Sequence, residues 1–168
     1  MFVKSSSWYL AGYILIPLVW PTVATAEVGE DTLKNLVARA KAEQVRLDVD
    51  ANVNLRSITC TKLGASGRTC VGQFVSGIAF NVWVRNDIPI LQQLIVSMKT
   101  VQDRKDVGRA VNAFMISTPV GNTREKLDVL TLVALACVAR DTAAATSIGT
   151  LTFESTGTGC VIGYELGK

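Results

Sequence analysis

The chain is 168 residues long, 49% hydrophobic, 18% charged and 7% aromatic, with four cysteines, no histidine and a formal net charge of +3. Such length and composition describe one ordinary globular domain, neither disordered nor fibrous. Without histidine, Ser-His and Cys-His catalytic pairs and His-ligated zinc or iron sites are excluded, and so small and mixed a charge does not suggest a nucleic-acid binder.

At the start of the chain, Lys4 precedes the apolar run Trp8 to Trp20, and Pro21 leads to Ala24-Thr25-Ala26 directly before Glu27. The run is shorter than the ~20 residues of a spanning helix. Cation, apolar run and A-x-A site, in that order, read as a secretory signal peptide cleaved after Ala26. This predicts a periplasmic or secreted product, residues 27–168, forming one domain. Phe74, Phe80, Trp83, Phe114, Phe153 and Tyr164 are then its aromatic residues, a thin supply for stacking on sugars or single-stranded nucleic acid. The longest later apolar stretch, Val129 to Ala139, is too short to cross a bilayer, so no stable membrane insertion is expected.

Asp31 is placed to cap a short helix whose Leu33, Leu36, Val37 and Ala40 form one buried stripe. From Val45 to Leu55 apolar and polar residues alternate strictly, which reads as a strand with one face in water. Thr61 to Thr69, with Gly64 and Gly67, reads as a turn. Val71 to Val84 reads as a single central strand, apolar on one face and half apolar on the other. Asn86 or Asp87 is then expected to cap a helix with Pro89 in its first turn and Leu91, Leu94, Ile95 and Met98 on one face. Asp103 opens a further amphipathic stretch through Val107, Ala110, Val111 and Phe114, with a strand over Ala110 to Ser117 as the alternative. Thr123 begins a largely buried helix carrying Leu127, Leu130, Val133, Ala134 and Cys137. The chain ends in a hairpin of Ile148 to Glu154 and Cys160 to Leu166.

The cysteines are Cys60, Cys70, Cys137 and Cys160. An even number in an exported chain favours two disulfides, and three connectivities are open. Cys60–Cys70 is preferred because the pair brackets the glycines of a hairpin loop, and Cys137–Cys160 because it ties the last strand to the preceding helix. Each closure would stabilise by ~2–4 kcal/mol. The clustered C-x-x-C spacing of a metal site is absent.

Few residues group as chemistry requires. Asp48 and Asp50 share the polar side of the expected strand, where a carboxylate pair could act as acid and base, although both read as solvated. The run Gly157 to Gly163 has the glycines of a phosphate loop but is followed by strand-like residues where a helix is needed. Lys99, Arg104, Lys105 and Arg109 form the main basic cluster, a candidate interaction patch for an anionic partner, with Arg124 and Lys126 a smaller one. Asp103 and Asp106 interleave with that patch as on an ordinary solvated face.

Cys60-Thr61 through Gly64 and Arg68-Thr69-Cys70, then Gln73-Phe74 and Gly77, resemble the Cys-bridged hairpin of exported YbjN-type domains, which share the fold of type III secretion chaperones. A helix before the hairpin and Gly108-Arg109-Ala110 after it keep the same order, over roughly residues 30 to 140. The chain departs from that pattern in a longer hairpin loop, in the region after Arg109 and in an extra terminal hairpin with its own cysteine. The resemblance implies an interaction protein rather than a catalyst and supplies no site residues.

The expectation is therefore an α+β domain, an antiparallel sheet with helices packed on it and stapled by disulfides. Its expected function is that of an exported, non-enzymatic protein-binding factor, such as an inhibitor, immunity-type or chaperone-like protein. No cofactor or metal is called for, and the partner is another protein. The alternatives are a carboxylate-dependent hydrolase using Asp48 and Asp50, and an envelope structural subunit.

Overall fold

The computed structural model describes residues 27–118, 146–148, 151–155 and 158–166. The leader, the helix expected after Thr123, Cys137, and the pair Arg124 and Lys126 lie outside them. In chain order the elements are α1 (Glu27–Leu47), β1 (Ser57–Leu63), β2 (Gly67–Val75), β3 (Ile78–Arg85), β4 (Ile88–Ser97), α2 (Arg104–Ile116), β5 (Thr146–Ile148), β6 (Leu151–Ser155) and β7 (Gly159–Glu165). The strands form one antiparallel sheet in the order β1-β2-β3-β4-β7-β6-β5. Both helices pack on the same sheet, giving an α+β architecture.

The expected α1 stripe is real, but the helix is longer than its periodicity implied. It runs through Val45, 82% exposed, to Leu47. Asp48, at φ 52°, ends it: its N–H donates to the Val45 carbonyl and the Val49 N–H to the Gln44 carbonyl. This is the Schellman arrangement, with aspartate in the left-handed position glycine usually fills.

The alternation from Leu47 to Leu55 is also real as burial, with Leu47, Ala51 and Val53 buried and Asp48, Asp50, Asn52 and Asn54 exposed. It does not make a strand. Residues 49–56 join no ladder and are fastened instead by the Ala51 N–H to Gln44 Oε1, Asn112 Nδ2 to the Asp50 carbonyl, and the Arg56 N–H to the Gln73 carbonyl. Half-burial fixes the side-chain period; the hydrogen-bond partner is decided elsewhere in the chain.

Two further expectations are corrected. Val71 to Val84 is not one strand, because the chain reverses at Ser76-Gly77 between β2 and β3. Gly77 has φ 83°, and a Cβ there would stand 2.7 Å from the Ser97 carbonyl oxygen, so the turn needs glycine on both counts. The helix expected from Asn86 is strand β4. Asn86 and Asp87 have φ 50° and 59°, the left-handed pair of a type I′ hairpin turn closed by Arg85 opposite Ile88. Residues that can cap a helix can also turn a hairpin.

The remaining elements follow the sequence. The turn in Thr61 to Thr69 narrows to residues 64–66, with strand on either side. Asp103 caps α2 by accepting from the Lys105 N–H at 2.9 Å, and the helix continues to Ile116, which settles the choice over Ala110 to Ser117. β6 and β7 form the terminal hairpin. Cys60 and Cys70 stand opposite each other on β1 and β2 and are joined by a disulfide. Cys160 is disulfide-bonded as well, while its expected partner lies outside the described residues.

The core sits between the helices and one sheet face. Leu33, Leu36 and Ala40 of α1 and Val107, Ala110, Val111 and Phe114 of α2 share it with Phe74, Ile78, Phe80, Val82, Leu94, Val96, Phe153 and Ile162. At Gly72 the sheet is bare enough for Leu55 and Leu33 to seat: a Cβ there would come 2.8 Å from Leu55 Cδ1. Among the described residues no helix is long and apolar enough to cross a membrane.

Candidate functional site

The structure brings two of the residues singled out from the sequence, Asp50 and Arg109, into contact. Lys99, Arg104 and Lys105 are exposed around the β4–α2 connection and the first turn of α2. Arg109, one turn further along, is drawn away to other work. Its Nε donates to Asp50 Oδ2 at 2.7 Å and its Nη1 to Asp106 Oδ1 at 3.2 Å. With Asn112 it clamps the 49–56 segment to α2, and Asp50 is the residue it holds.

The same clamp decides what the two aspartates can do. The hydrogen bond from the Arg109 guanidinium, followed by that from the Asn52 N–H and by the Arg109 charge, holds the Asp50 carboxyl below the ordinary aspartate range against a smaller opposing effect of burial. A general acid needs the opposite shift. Asp48 faces solvent at the end of α1, where its backbone terminates the helix. Asp50 is therefore held as the carboxylate, the form that cannot donate a proton. Among the described residues no group of three or more His, Cys, Asp or Glu side chains could hold a metal ion, and the glycines from Gly159 to Gly163 lie within β7.

A different surface stands out. The helices cover one face of the sheet, and register defines the other. One row across it is Thr61, Thr69, Trp83, Leu91 and Glu165; the next is Thr59, Val71, Asn81, Gln93, Gly163 and Thr152; the third is Ser57, Gln73, Ala79, Ile95, Val161 and Glu154. A rim row, Leu63, Gly67, Arg85 and Ile88, closes one end. From β1 to β4 this face contains no carboxylate, and its one cation, Arg85, is at the rim.

The open face combines apolar area with an ordered polar centre. Trp83 is 40% exposed, Ile95 37% and Ile88 60%. Of the exposed large hydrophobic side chains among the described residues, Leu63, Trp83, Ile88 and Ile95 belong here, while Val45 and Leu166 lie elsewhere. Between them Thr69 Oγ1 donates to Asn81 Oδ1 at 2.5 Å, and Asn81 Nδ2 and Trp83 Nε1 donate to Gln93 Oε1 at 3.1 and 3.0 Å. That network fixes the indole and leaves its ring open.

Sequence reasoning missed this face. Trp83 was assigned to the less apolar side of a strand taken to be covered on both faces, and Gln93 and Ile95 were assigned to a helix. The usable signal was the Asn86-Asp87 pair between two runs rich in β-branched residues. Comparison with protein-family models, with curated proteins and with solved structures gives no match.

Proposed function

We propose that this chain is an exported, non-enzymatic protein-binding factor, of the kind an inhibitor, an immunity-type protein or a chaperone-like protein represents, and that it docks through the open face of its sheet. The observation that carries the reading is the cluster of Trp83, Ile88, Leu91 and Ile95 on a face that has no carboxylate from β1 to β4. Exposed apolar side chains around a fixed aromatic residue and a neutral amide network are the ordinary composition of a protein interface, whose centre is depleted in charge. The partner it suits is a folded protein presenting a flat, weakly charged apolar surface, with an acidic group at its edge to meet Arg85. Export, to the periplasm or beyond, is supported by the leader pattern and by the cross-strand disulfide. The likeness to YbjN-type domains points to the same class of protein.

Site-specific photo-crosslinking tests the proposal. A photoreactive residue at Ile95, in protein expressed in its source cells, is expected to capture one discrete protein, whereas the same residue at Lys41 on α1 is not. Equal capture from both positions, or from neither, would overturn it.

A further inference from the structure

On the other side of the sheet, α1, β4 and the end of α2 enclose a cleft of about 210 Å³, lined by Thr32, Asn35, Leu36, Arg39, Pro89, Gln92, Ser117 and Leu166. Thr32, Asn35, Leu36 and Arg39 follow the spacing of one helical stripe beside the core stripe, so α1 presents them together. Leu36, Pro89 and Leu166 supply apolar wall, and the Leu166 N–H donates to the Ile90 carbonyl at 3.0 Å, which fastens that wall to β4.

The polar groups are unbalanced in one direction. Gln92 is 8% exposed, on the core side of β4, and its amide has no hydrogen-bond partner among the described residues. Ser155 Oγ is the one described side-chain atom sealed from solvent without a partner, so the Gln92 amide is reached from the cleft. A buried amide of this kind normally has a partner. Arg39, unlike Lys34, Arg46, Arg68 and Arg109, is in no ion pair among the described residues. The hydroxyls of Thr32 and Ser117 already donate to the Val28 and Phe114 carbonyls, both at 2.7 Å. What remains among the described lining residues is a guanidinium and two primary amides, from Asn35 and Gln92, with no carboxylate among them.

We infer that this cleft binds a carboxylate carried on a short branched apolar group. Arg39 takes the carboxylate as a charge-assisted pair, Gln92 and Asn35 donate to its oxygens, and the apolar group lies against Leu36, Pro89 and Leu166. The volume is that of about seven waters at ~30 Å³ each, room for a small acid or a single residue and too little for a drug-sized molecule. Two sources carry this chemistry: a free short-chain acid and the C-terminal residue of a peptide. The inference does not depend on the docking face, which lies on the opposite side of the sheet.

The test is amide NMR of the isotope-labelled full chain, titrated with isovalerate, with a tripeptide ending in a free leucine carboxylate, and with the same tripeptide amidated. The free carboxylates are expected to shift signals around Arg39 and Gln92 saturably, with a dissociation constant on the order of 1 mM for so few atoms. The amidated peptide is expected to bind at least about tenfold more weakly, and Arg39→Gln to weaken the free carboxylates by a similar factor. Lys41→Gln serves as a control that changes nothing. Tighter binding of the tripeptide identifies a C-terminus as the source; equal or tighter binding of isovalerate identifies a free acid. Gln92→Leu is expected to repeat the Arg39→Gln result; should it not fold, Arg39→Gln on an exposed helix surface still carries the test. Equal binding of amidated and free peptide, indifference to Arg39→Gln, or no saturable shift up to roughly 50 mM would overturn the inference.

Discussion

On the helix-covered face of β2, β3 and β4 stand Phe74, Ile78, Phe80, Val82, Leu94 and Val96; one residue away, on the open face, stand Gln73, Ala79, Asn81, Trp83, Gln93 and Ile95. The strands are the same and only the parity differs. The covered face is apolar there except for Gln92, and its side chains pack with α1 and α2. The open face mixes apolar rings and branches with amides that bond one another. A surface built only for solvation would place lysine and glutamate there, as α1 does with its Glu30–Lys34 and Glu43–Arg46 pairs. The contrast separates what holds the fold from the face proposed above for docking.

The largest expected effect tests that separation directly. Phe80→Ala, at a fully buried position, is expected to cost ~3–5 kcal/mol, whereas Trp83→Ala, three residues on, costs about 1 kcal/mol or less and abolishes partner capture. Urea denaturation of both variants checks the pair, and similar losses would erase the distinction between the faces. Next comes the staple that ties edge strand β1 to β2. Replacing Cys60 and Cys70 together by alanine opens a closure of sequence separation 10 and is expected to lower stability by ~2–3 kcal/mol. Reduction of the wild-type protein, which also opens the Cys160 disulfide, should cost at least as much in the same assay.

Smaller effects belong to the segment that joins helix to sheet. Asp48→Gly relieves the left-handed position at the end of α1 and is expected to raise the melting temperature, by less than about 1 kcal/mol in stability. The smallest is Asp50→Asn. Its carboxyl is more acidic folded than unfolded, so the Arg109 contact stabilises fully above the ordinary aspartate range and is lost as pH falls through the lowered value. Wild type and Asp50→Asn should therefore differ slightly at neutral pH and converge as the pH falls through the lowered Asp50 value. Thermal melts across pH 2 to 7 check this, and a difference that widened in acid would reverse the assignment.

How much could be read from the sequence follows from what each pattern constrains. The Cys60–Cys70 pair, the Asp103 cap and the terminal hairpin were legible because each depends on residues a few positions apart. Residues 88–98 were not, since Leu91, Leu94, Ile95 and Met98 satisfy a helical stripe while Leu94 and Val96 also satisfy a strand. Asn86-Asp87 and Pro89 suit either beginning. The alternation at 47–55 gave correct burial and a wrong element, because a chain can lie against a core without a ladder. Both candidate sites inherited these errors: Gln92 and Gln93 were placed on a helix, and Arg39 gains meaning only when β4 lies beside α1. The Asp50–Arg109 contact spans 59 positions and has no local signature.

The most direct test of the open face is collisional quenching of Trp83 by acrylamide, in the W8F/W20F variant where it is the only indole. The account expects native Trp83 to be quenched at a substantial fraction of the unfolded rate, in keeping with its 40% exposure, and to be protected once the captured partner is bound. A native indole that acrylamide does not reach, or one equally quenched with the partner bound, would contradict it.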